Sequence, residues 1–108
     1  MTEPDVPVVV EPEAAARVAE LGMQPQFEQM LEHTRRSVTD LRRIDVWVAW
    51  PYDTGCEPGV AIEAIIGRPW VPEDETEDEL GRWKVETFPP EVCEHFAILT
   101  QYGGDHAG

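Results

Sequence analysis

The hydrophobic period changes along this chain near residue 43, and that change restricts the fold more than any other feature. Before it, Ala14, Val18 and Leu21, then Phe27, Met30, Leu31, Thr34, Val38 and Leu41, recur three or four residues apart. That is the spacing of one face of an α-helix. From RIDVWVAW onward the period is two: Ile44, Val46, Val48 and Trp50 alternate with Asp45, Trp47 and Ala49. Alternation of this kind describes a strand with one face in a core. VAIEAII, residues 60–66, repeats it, with Val60, Ile62, Ala64 and Ile66 on one side. An α+β domain follows, helices first and sheet after.

Punctuation residues bound the helices. In EPEAAARVAELG, Pro12 suits a first turn, Glu11 and Glu13 suit its positive end, and Gly22 suits the position past its end. A second helix begins near Pro25, with Arg35 and Arg36 near its C-terminal end. RWKVETF is expected to be a third strand, with Trp83 and Val85 on one side. PPEVCEHFAILTQYGG reads as a C-terminal helix from Pro90 and Glu91 to Gly103, with Val92, Phe96 and Leu99 inward. The β-branched and aromatic run from His95 to Tyr102 leaves a strand as the alternative. The expected fold is therefore α+β: two N-terminal helices, a three-stranded antiparallel meander and a C-terminal helix packed on one sheet face. Residues 1–10 form a flexible arm in this reading, with Val8 to Val10 docking as a short edge strand. Residues 11–103 form one domain, and 104–108 a disordered tail. No internal repeat of 20 to 50 residues stands out.

Charge narrows the partners. Twenty-two acids oppose eight bases in 108 residues, a net charge of −14. Four arginines, Arg35, Arg36, Arg42 and Arg43, cluster just before the first strand. Six acids crowd the seven residues from Glu73 to Glu79, which reads as a solvated loop. A field of this sign repels nucleic acid and anionic lipid and favours a basic protein partner. No apolar run approaches the ~20 residues of a membrane span. Two cysteines, Cys56 and Cys93, are no disulfide framework, so a cytoplasmic protein is expected.

The stretch AWPYDTGCEPGVAIE, residues 49–63, has the composition of a site. Pro51, Asp53, Gly55, Pro58 and Gly59 are explained as turn residues between two strands. Tyr52, Cys56 and Glu57 are left over, and Trp50, Tyr52 and Glu57 are the candidate rim of a ligand pocket between helices and sheet. Metal chemistry has little support. Cys93 and His95 are two residues apart, which on a helix points them in opposing directions, and no metal-ligand motif occurs. No catalytic residue, metal or cofactor is expected.

Tryptophan is the more telling signal. Four occur in 108 residues, and the alternation sets Trp47 on the face opposite Ile44, Val46 and Val48. An aromatic on the outer face of a sheet is characteristic of interfaces. The sequence thus points to a small acidic binding or interaction module, non-catalytic, that forms a homodimer. Trp47, Arg35, Arg36, Arg42 and Arg43 are its candidate interface. A small-molecule-binding protein or small enzyme is the alternative reading.

Overall fold

The structure is a computed structural model and describes residues 6–49 and 58–103. Eight elements follow in the order β1 (Val8–Val10), α1 (Pro12–Leu21), α2 (Gln24–Ser37), β2 (Leu41–Ala49), β3 (Gly59–Ile66), α3 (Thr76–Thr87), α4 (Pro90–Cys93) and β4 (Phe96–Tyr102). They build one α+β layer pair, a four-stranded sheet in the order β1-β2-β3-β4 with helices on one face.

The first two helices form where their signals lie. Pro12 occupies the first turn of α1, and Gly22 ends it at φ 69°, a left-handed conformation that costs glycine little. The Gly22 and Met23 N–H groups close the end on the carbonyls of Ala19 and Val18. In α2, Phe27, Met30 and Thr34 are buried at helical spacing, and the Thr34 hydroxyl donates to the Met30 carbonyl at 2.8 Å. The apolar period continues to Leu41, but the helix stops at Ser37 and the chain turns at Asp40, φ 59°.

The meander expected from sequence is corrected. The sheet is mixed: β1 and β2 are parallel, β2 and β3 antiparallel, β3 and β4 parallel. Two β-α-α-β crossovers therefore flank one antiparallel pair. Parallel neighbours need a crossover of a dozen residues or more, and α1–α2 and α3–α4 supply them.

Two element assignments change with the topology. RWKVETF is not a strand; it lies almost wholly within α3. Its Trp83 and Val85 look like alternation, yet Leu80 and Trp83 are the inward pair at i, i+3 and Val85 is 65% exposed. The expected acidic loop is corrected with it, because Glu77, Asp78 and Glu79 form the first turn of α3, where the helix dipole favours acids. The C-terminal segment is not a helix on the sheet. After the single turn α4 it becomes β4, the strand alternative, with Phe96 and Ile98 in the core. A strand with apolar residues on both faces loses its period-two signature and reads equally as helix.

The core lies between the sheet and the helices. Ile44 and Val46 of β2, Val60, Ile62 and Ile66 of β3, and Phe96 and Ile98 of β4 meet Ala14, Val18, Phe27, Met30, Leu80, Phe88 and Val92. Register explains this. Val46 faces Ile62 and Ile62 faces Ile98, so even-numbered residues share one face across β2, β3 and β4.

Candidate functional site

The odd-numbered face of the sheet carries the candidate site. Its rows follow from register: Trp47, Ala61 and Ala97 form one, Asp45, Glu63 and Leu99 the next, and Arg43, Ile65 and Gln101 a third. Val9 of β1 extends the middle row beside Asp45 and is 53% exposed. Trp47, Ile65 and Leu99 are half-buried and belong to no part of the core cluster. Among the described residues, no helix covers this face.

A small charged group sits among these apolar residues. Asp45 and Glu63 are directly opposite each other, an unfavourable like-charge pair. Arg43, two residues from Asp45 and so on the same face, donates from Nε to Asp45 Oδ1 at 2.9 Å. That hydrogen bond, with the charges of Asp45 and Glu63, raises the Arg43 pKa.

Both edges of the sheet are poor templates for strand addition. β1 is only three residues long; Pro7 and Glu11 bond back to β2, so Val8 and Val10 alone point their backbone groups outward. On β4, His95 and Gly103 bond back to β3, so the alternate residues Phe96, Ile98, Thr100 and Tyr102 point their backbone groups outward. Side chains of α3 take two of these positions. Lys84 Nζ donates to the Phe96 carbonyl at 2.6 Å, and Glu77 Oε1 accepts from the Thr100 N–H at 3.3 Å and from its hydroxyl at 2.7 Å.

The sequence-predicted interface residues are partly separated. Trp47 and Arg43 share the open face. Arg35 and Arg36 lie in the last turn of α2, in the helical layer, and pair with Glu32 at 3.7 and 3.9 Å. Arg42 falls at the irregularity between Leu41 and Arg43, and its guanidinium lies against Gly67, where an added Cβ would push it aside. Trp50, Tyr52 and Glu57, the predicted pocket rim, lie outside the described residues, as does Cys56.

Cys93 and His95 do not form a reactive pair. The Cys93 thiol sits against the carbonyls of Lys84 and Phe88 at 3.4 and 3.5 Å, and His95 Nε2 is 3.6 Å from Glu94. No group of three or more His, Cys, Asp or Glu side chains among the described residues is arranged to hold a metal ion. No described helix is long and apolar enough to cross a membrane.

One polar network escaped the sequence reading. Arg68, just past β3, pairs with Asp74, lies 3.5 Å from Asp40 and stands 5.6 Å from the centre of the Tyr102 ring. Asp74 also accepts from the Thr76 hydroxyl at 2.6 Å and the Thr76 N–H at 3.0 Å. The Thr76 hydroxyl and Arg68 together hold the Asp74 carboxyl well below the usual carboxylate range. Its sequence signal was Asp-x-Thr after a proline, the pattern of an Asp turning the backbone into a helix start. It was masked by the surrounding acids.

Comparison with known proteins adds no relative: no family model, no curated protein and no solved structure matches this chain.

Proposed function

We propose that this chain is a non-catalytic interaction module that self-associates as a homodimer through the open face of its sheet. The observation that carries this reading is Trp47, half-buried on a sheet face that also carries Ile65 and Leu99 and that no described helix covers. Water does not favour such a face, and a two-fold dimer is the commonest way to cover one. The short β1 edge and the side-chain guards on β4 favour face-to-face contact over edge pairing. On the same face Arg43 already bonds Asp45, so charge there sets register across the axis and the apolar contact supplies the affinity. Arg35 and Arg36 contribute less to such a contact, because both already pair with Glu32.

Sedimentation equilibrium tests the reading. The wild-type chain is expected to dimerise below ~100 µM, and Trp47→Ala to weaken the dimer at least tenfold, about 1.4 kcal/mol. A wild-type monomer at that concentration, at both low and high salt, rejects it.

A further inference from the structure

A second surface, away from the open sheet face, has the chemistry to take a guanidinium group. It is a cavity of about 420 Å³ at the C-terminal ends of β3 and β4, walled by Trp70, Pro72 and Tyr102 and edged by Asp74, Glu77 and Asp78. Trp70 is 58% exposed and the neighbouring Val71 44%, two of the four large apolar side chains most open to water among the described residues. A large aromatic left in water on a cavity wall is an unfilled half of a contact.

The chain itself contains the other half, nearby and satisfied. Arg68 sets its guanidinium over the Tyr102 ring and pairs with Asp74, an aromatic face and a carboxylate holding one arginine. Trp70 and Asp78 repeat that pair of chemistries in the same cavity. Asp74 is occupied by Arg68 and Thr76, and Glu77 by Thr100. The Asp78 carboxylate has no hydrogen bond or ion pair among the described residues. An anion entering here would meet three carboxylates, so the positive end of α3 is already spent on its own side chains. An arginine fits all three demands: its plane stacks on indole, its fork matches a carboxylate, and it enters a strongly negative field at low desolvation cost.

We infer that the Trp70 cavity docks an arginine side chain from a basic protein segment, with Trp70 as the stacking face and Asp78 as the counter-charge. This surface is independent of the dimer proposed above, and Trp47→Ala separates the two.

The probe is an octa-arginine peptide, with an octa-lysine peptide and a neutral Gly/Ser peptide of equal length beside it. Binding is followed by the indole N–H resonances and by calorimetry. Octa-arginine is expected to shift the Trp70 indole and to bind at least fivefold tighter than octa-lysine, since an ammonium cannot stack or fork. Trp70→Ala and Asp78→Asn should each weaken it about tenfold, while Trp47→Ala and the distant Glu91→Gln leave it within twofold. Trp70 is exposed, so its removal does not threaten folding, and circular dichroism verifies that. Equal weakening by Glu91→Gln and Asp78→Asn would mean diffuse attraction to an acidic chain and would overturn the inference. So would unchanged binding by Trp70→Ala, or equal affinity for the two basic peptides.

Discussion

The imidazole of His33 and the indole of Trp83 lie 3.8 Å apart with their planes within 3° of parallel, and the pair ties α2 to α3. Trp83 in turn meets Phe88 edge-on at 5.5 Å, so the stack is anchored to the core. Neither residue belongs to the open face or the Trp70 cavity; their role is to join the two crossovers of the fold.

This stack makes stability sensitive to pH. Burial, then the charge of Arg36, lowers the His33 pKa in the folded state. The folded chain therefore binds a proton at His33 less readily than the unfolded chain. Stability is full above the unfolded value near ~6.5 and falls as pH drops through it toward the folded value. The difference in denaturant midpoint between wild type and His33→Asn should narrow from pH 7.5 to pH 5. A difference that is constant over that range would mean His33 does not titrate differently on folding.

Asp74 has the opposite kind of chemistry and a lower window. The Thr76 hydroxyl and Arg68 depress its folded pKa, so its contribution is present above the unfolded value of ~3.9 and is lost as pH falls below it. Asp74→Asn should lower the thermal midpoint at neutral pH. The gap to wild type should shrink below about pH 4. Replacing residues 73–79 wholesale should also destabilise the chain, since Asp74 and Glu77 hold Arg68, Thr76 and Thr100.

Lys84 and Glu77 should act as edge guards. Lys84→Met removes the donor to the Phe96 carbonyl and is expected to cost about 1 kcal/mol of stability. Combined with Glu77→Ala, which removes the acceptor for Thr100, it exposes β4 to strand addition. Light scattering of the double variant should show concentration-dependent association that Trp47→Ala does not suppress. Scattering identical to wild type would show that the edge is protected some other way.

Val85 distinguishes helix from strand at the residues where sequence and structure disagree. In α3 it is 65% exposed, so Val85→Ala loses no core contact and gains helix propensity. The variant should be as stable as wild type or up to about 0.5 kcal/mol more stable. Ile62→Ala, at the centre of the core between Val46 and Ile98, should cost about 2–5 kcal/mol. Urea midpoints check both. A marked loss in Val85→Ala would restore the strand reading of RWKVETF.

Local signals in the sequence were sufficient wherever one periodicity acted alone. Pro12 and Gly22 bracket α1 because their backbone preferences are intrinsic, and β2 and β3 alternate because one of their faces packs on helices while the other does not. The same alternation sets Trp47 opposite the core face without any knowledge of the neighbouring strands. Tertiary structure decided the rest. Phe96 to Tyr102 is a strand because β3 offers it a parallel partner, and Phe96 and Ile98 fill the core while Ala97 and Leu99 line the other face. Thr76 to Thr87 is a helix because a parallel β4 requires a crossover, and Leu80 finds the core only from that side. The pairing of Arg68 with Asp74 and Tyr102, and the separation of Arg35 and Arg36 from Trp47, depend on which ends of distant elements meet. Spacing along a chain carries no information about that, because such contacts are fixed by strand order and direction.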